Sequence, residues 1–196
     1  MNTKTQDTRQ HILDIGYQLV VSKGFAGVGL SELLKTAEVP KGSFYHYFKS
    51  KEQFGEALIQ AYFSEYLNQL NLLLDSASGS HYQKLMHYWQ HWSEQNSCQG
   101  QAGKCLVVKL AGEVSDLSEP MRLALLNGTN RIIARVAECI EQGRAAGELG
   151  INDSRQTAEQ LYNLWIGASL LNKIRLDDAS LAQALLTTRQ ILQPVA

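Results

Sequence analysis

Little in this sequence of 196 residues interrupts a helix. It has three prolines in all, and long stretches of Leu, Ala, Gln and Glu favour α-helix. An all-α architecture is the expectation. Long hydrophobic runs are also missing. None approaches the roughly 20 apolar residues that span a bilayer, and the opening MNTKTQDTRQ is polar, without the apolar core of a secretory leader. These absences predict a cytoplasmic protein with no membrane partner. Cysteine is scarce: Cys98, Cys105 and Cys139 are odd in number and widely spaced, which excludes a disulfide framework and gives no zinc-ligand spacing. In a reducing cytosol they should be thiols. Charge of one sign is lacking as well. With 18 basic and 19 acidic side chains the net charge is −1, so binding to nucleic acid would have to rest on a local patch. Nothing in the sequence calls for a cofactor.

What is present is helical periodicity, 44% hydrophobic residues, and enough length for one sizeable core or a small domain plus a larger one. About nine helices are expected: Thr8–Lys23, Leu30–Ala37, Lys41–Phe48, Lys51–Leu74, His81–Gln95, Lys104–Glu113, Ser118–Ala146, Ser154–Arg175 and Asp178–Leu192. Gly24 ends the first as a left-handed cap, and Phe25 packs back on the core. Gly29 is the N-cap of the second, with Glu32 at its third position. Pro40 biases Val39 away from the α region and opens the next helix, where its missing N–H costs nothing. The second and third helices then form a helix-turn-helix with Val39 between them. Ser50 caps the long fourth helix, with Gln53 at its third position. Small polar residues at Ser76–Ser80 make an internal break, and Gln99–Gly103 another. The expected division is 1–50 as one domain and 51–196 as a larger one, beginning with the connecting helix 51–74.

Residues 41–51, KGSFYHYFKSK, carry the strongest functional signal. A recognition helix needs polar and aromatic tips at its N-terminal end to reach bases and phosphates. Lys41 offers a charge, and Gly42 allows close approach at a helix N-terminus, which itself attracts phosphate. Ser43, Tyr45, His46 and Tyr47 supply donors, while Phe44 and Phe48, four residues apart, anchor the helix inward. Lys49 and Lys51 stand where the next helix begins. From Lys35 to Lys51 four lysines face a single acid, Glu38. The run V-P-K-G-S-F-Y-H-Y-F-K-S-K-E, within residues 24–54, resembles the TetR family of transcriptional regulators. That resemblance implies an all-α homodimer with an N-terminal three-helix DNA-binding domain and a larger helical ligand-sensing and dimerisation domain. It also implies that Lys41, Gly42, Tyr45, His46, Tyr47 and Lys51 contact double-stranded operator DNA. Gly29 departs from the Ser or Thr that the family often places there, with Ser31 as a substitute.

Cys105 follows Gly103-Lys104, at the expected start of a helix. The helix dipole, Lys104, and Lys109 four residues on would all favour its thiolate, the reactive form. Cys98 reads as an exposed bystander. Cys139, among Ile133, Val136 and Ile140, reads as core. The segments G-K-C-L-V-V-K-L-A-G-E-V-S-D-L-S-E-P-M-R and L-Y-N-L-W-I-G-A-S-L-L-N-K resemble the electrophile- and oxidant-responsive repressors of the same family. This implies a small electrophile or oxidant as effector, Cys105 as sensor, and Lys173 as a lysine that stabilises the thiolate or captures the oxidised sulfur.

Other readings compete. Tyr88, Trp89 and Trp92 would line a pocket for a non-covalent apolar or aromatic ligand. His87 and His91 share a helical face, but no acid at ligand spacing joins them, so no metal site is expected. A thiol enzyme would need a general base and an oxyanion site beside Cys105, and no such grouping is present. The last two long helices carry Leu161, Leu164, Trp165, Ala168, Leu171, Leu181, Leu185, Leu186, Ile191 and Leu192. That surface, with close approach at Gly167 and Ala168, predicts pairing with a second copy.

Overall fold

The computed structural model describes residues 3–76, 78–98, 105–192 and 194–195, apart from the side chains of 3–6. Among the described residues the chain runs as nine helices: α1 (Thr3–Lys23), α2 (Leu30–Thr36), α3 (Lys41–Tyr47), α4 (Lys51–Leu74), α5 (His81–Asn96), α6 (Leu106–Val114), α7 (Glu119–Ala145), α8 (Ser154–Arg175) and α9 (Ala179–Ile191). The one β feature among them is an isolated antiparallel bridge between Leu149 and Pro194. The all-α expectation holds. α1 begins at Thr3 rather than Thr8, because no proline or glycine stands in the polar stretch before it. Ala77 and the Gln99–Gly103 break, together with Lys104, lie outside the described residues. No helix among those described is long and apolar enough to cross a membrane.

The helices divide into two compact units, Met1–Ser64 with Lys109–Gly128, and Glu65–Val108 with Thr129–Ala196. In the first, Phe44 of α3 is fully buried. Its ring centroid lies 5.3 Å from that of Phe48 and 5.8 Å from that of Phe54, the close tilted geometry that aromatic rings prefer. Ile12, Leu13, Val20, Val28, Leu33 and Leu58 fill the same core. α4 approaches closely at Gly55, where an added Cβ would stand 2.6 Å from the Phe25 ring and 2.7 Å from Met121. Gly24 adopts φ 79° and ends α1, as expected.

The turn of the helix-turn-helix has a feature that the sequence did not signal. α2 closes in a Schellman arrangement: Glu38 N–H donates to Lys35 O at 3.3 Å, and Val39 N–H donates to Leu34 O at 3.1 Å. The left-handed position, usually glycine, is Glu38 at φ 53°. Pro40 then stands as the N-cap of α3.

The second unit is built on indoles. Trp89 of α5 stacks on Trp165 of α8, with centroids 5.2 Å apart and planes 9° from parallel. Trp92 Nε1 donates to Ser169 Oγ at 2.9 Å, and Trp165 Nε1 donates to Thr188 Oγ1 at 2.9 Å. Those hydroxyls donate in turn to Trp165 O and Ala184 O, so the buried polar atoms of this group satisfy one another. α9 packs on α8 and α5. This corrects part of the interface expectation: Leu161, Trp165, Ala168, Leu181 and Leu192 are buried within their own chain, because α8, α9 and α5 cover each other. Leu171 and Leu186 stay exposed, joined by Leu170, Ile174 and Leu176. At the other end of α5, Ser80 and Gln83 form a reciprocal capping box.

The strained Glu38 yields a stability prediction. A left-handed conformation costs a non-glycine residue about 1–2 kcal/mol, partly offset in glycine by its extra freedom in the unfolded chain. Glu38→Gly should therefore stabilise the protein by roughly 0.5–1 kcal/mol in denaturant melts. A loss of stability would show that this backbone is not strained.

Candidate nucleic-acid interface and thiol site

α3 divides by side: Phe44 and Phe48 face the core, while Lys41, Gly42, Tyr45 and His46 are exposed and Ser43 and Tyr47 half-buried. The exposed set is the one expected to reach DNA. The ammonium of Lys41 lies 5.8 Å above the Tyr45 ring, and His46 meets Tyr47 edge-on at 4.9 Å. Arg9 of α1 sits over the Phe48 ring at 5.4 Å, a cation that sequence reasoning passed over. Lys51 is differently engaged. Its Nζ donates to Phe25 O at 2.9 Å and lies 4.6 Å from the Phe25 ring centroid, so part of its donor capacity goes to the α1–α2 turn.

The same turn is held by α6. Glu113 accepts the Phe25 N–H at 3.0 Å and the Ala26 N–H as well, and Lys109 Nζ donates to Ser22 O at 3.3 Å. One carboxylate thus satisfies two amides that the turn leaves unpaired. Sequence reasoning missed Glu113, since nothing local marks a partner 88 residues away. Lys109, expected to favour a thiolate at Cys105, spends its ammonium on the end of α1.

The three cysteines differ sharply in setting. Cys105 is buried and immediately precedes α6, one residue earlier than its expected place within the first turn. Around it stand Tyr88 of α5 and Tyr162 of α8. Burial, with the charge of Cys105 adding to it, pushes both phenols far above the ordinary tyrosine range. Tyr88 Oη shares a hydrogen bond of 2.9 Å with Tyr66 Oη, whereas Tyr162 Oη, like Trp89 Nε1, is buried with no partner among the described residues. Cys139 is buried, and desolvation pushes its thiol up to about 11. Cys98 is exposed. Desolvation and then the carboxylate of Asp178, which also accepts the Cys98 N–H at 2.9 Å, raise its thiol as well. Lys173 is half-buried in the last turn of α8.

The remaining candidates fall on surfaces or in the core. Tyr88, Trp89 and Trp92 are all buried. His87 and His91 are exposed, and no group of three His, Cys, Asp or Glu side chains among the described residues could hold a metal ion.

Comparison with known proteins agrees with this geometry. Residues 12–58 match the model for bacterial regulatory proteins of the tetR family, and residues 81–188 match the tetracyclin repressor-like C-terminal domain. The HTH-type transcriptional repressor NemR of Escherichia coli (strain K12) is 44% identical over 194 residues, 98% of each chain. The crystal structure of E. coli NemR in its reduced form superposes with a TM-score of 0.93, covering 97% of this chain and 99% of that one at 45% identity. The HTH-type transcriptional repressor DhaR of Mycobacterium sp. (strain GP1) is 32% identical over 95% of this chain and 92% of its own. With a solvent-facing recognition helix on a helix-turn-helix and a full-length match to a repressor of the same fold, the chain belongs to the TetR family, a DNA-binding transcriptional repressor and not an enzyme.

Proposed function

We propose that this protein acts in the cytoplasm as a homodimer that binds a palindromic operator and leaves it when Cys105 reacts with a small electrophile or oxidant. In this reading residues 1–50 form the DNA-binding domain and residues 51–196 the regulatory and dimerisation domain. Lys41, Gly42, Ser43, Tyr45, His46 and Tyr47 enter the major groove, and Lys51 meets a phosphate at the start of α4 with the N–H groups it has left. The exposed apolar residues Leu170, Leu171, Ile174 and Leu186 support pairing of α8 and α9 with those of a second copy, an isologous contact that sets two recognition helices on one duplex.

The observation that carries the sensing half is the contrast among thiols. Cys98 and Cys139 are both held toward the protonated, unreactive form. Cys105 alone stands at the N-terminal end of a helix, among buried donors. Its helix also supplies Glu113, the carboxylate on the Phe25 and Ala26 amides. A modified Cys105 that shifts α6 therefore disturbs the turn feeding the helix-turn-helix, and the coupling equals the difference in modification energy between the two conformers. Lys173 stabilises the thiolate and, once an oxidant has taken the sulfur to sulfenic acid, closes a nitrogen–sulfur link with loss of water.

The buried, unpartnered Trp89 Nε1 and Tyr162 Oη favour a second reading, in which an aromatic ligand binds there non-covalently. Cys105→Ser separates the two. Covalent sensing predicts that the variant stays on the operator in the presence of electrophile; ligand release predicts that it still leaves.

Two measurements follow. Operator affinity should fall steeply with salt, and Lys41→Ala should weaken binding and reduce the slope of log K against log salt by about 1; an unchanged slope removes Lys41 from the phosphate contacts. Glu113→Ala, which strips two amides of their acceptor, should cost about 1–3 kcal/mol of stability and shrink the affinity difference between reduced and modified protein. If that difference is untouched, α6 does not transmit the signal through Glu113.

A further inference from the structure

The aromatic donors around Cys105 are not alike. Trp92 Nε1, Trp165 Nε1 and Tyr88 Oη each have a partner. Tyr162 is 5% exposed, its ring lies 6.0 Å from that of Trp92, and its hydroxyl has no acceptor among the described residues. A buried hydroxyl left unpaired in a native core calls for an explanation. The charge of Cys105 acts on this phenol as it does on Tyr88, so the thiol and the unused O–H open on the same space.

We infer that the Tyr162 hydroxyl is a hydrogen-bond donor to the carbonyl oxygen of electrophiles that add to Cys105, which makes α,β-unsaturated carbonyl compounds the preferred substrates of the thiol. This rests on the reading of Cys105 as the reactive cysteine. In the addition the thiol first gives its proton to water. The sulfur lone pair forms a C–S bond at the β-carbon, the C=C π pair moves into the adjacent bond, and the carbonyl π pair comes to rest on oxygen. Tyr162 holds that enolate oxygen. The α-carbon then takes a proton from water, which balances the one released, and Tyr162 is unchanged. A donor fixed in a water-poor site is worth most where charge develops during the reaction. An electrophile whose leaving charge does not sit on oxygen gains nothing from it.

The test uses the full-length protein and two probes, N-ethylmaleimide, which carries the carbonyl, and benzyl bromide, which loses bromide. Rates of modification at Cys105 are followed by peptide mass spectrometry across pH, in wild type and Tyr162→Phe. The substitution should slow the maleimide reaction by roughly 10–100-fold and leave the benzyl bromide rate and its pH profile unchanged. Equal slowing with both probes, or no slowing with maleimide, overturns the role of Tyr162 while leaving Cys105 reactive. If wild-type Cys105 reacts with neither probe while Cys98 does, the sensor reading itself fails, and this inference falls with it. The benzyl bromide rate also reports whether Tyr162→Phe has kept its fold. Tyr88→Phe, whose hydroxyl is already bonded to Tyr66, should show no selective loss with maleimide; a loss equal to that of Tyr162→Phe would overturn the assignment to Tyr162.

Discussion

A single carboxylate fastens the turn on which the DNA-binding unit hangs. Between α1 and α2 the backbone has no ladder to join, and its amides and carbonyls would stand unpaired near a buried Phe25. Glu113 takes the amides of Phe25 and Ala26, and Lys51 donates to the Phe25 carbonyl. The orientation of α2, and through the Glu38 turn that of α3, follows from this clamp. Without it Phe25 would have to hold its place by packing alone.

The second unit solves the same accounting by other means. Its indoles are large and polar at one edge, so each must find an acceptor or pay for burial. Ser169 and Thr188 provide it, and each passes its own proton to a helix carbonyl. Such hydroxyls turn an apolar stack into a specified arrangement, since a slipped register would leave several donors stranded. The exceptions, Trp89 and Tyr162, are then the informative ones.

Much of this was legible in the sequence where the cause is local. The helix periodicity, the cap at Gly24, the two inward aromatics of α3 and the core placement of Cys139 all follow from spacing over a few residues. What escaped was non-local or sign-ambiguous. Glu113 finds its amides far away in the chain. Lys51 and Lys109 looked free, yet both are drawn to backbone carbonyls of α1 and its turn. Leu161, Trp165, Leu181 and Leu192 are apolar at the right period for an interface, but a hydrophobic stripe does not say whether its partner is another helix of the same chain or of a second copy. Glu38 in a left-handed turn could not be read, because composition points to glycine there and the backbone was set by the packing of α2 and α3.

The carboxylate beside Cys98 has a consequence for life at high concentration. A surface cysteine is the ordinary route by which two copies of a protein become covalently joined, and a mixed disulfide begins with a thiolate on one of them. Asp178 discourages that anion. Chance encounters between molecules therefore end without a bond, and the regulator remains exchangeable between sites instead of accumulating as cross-linked aggregates.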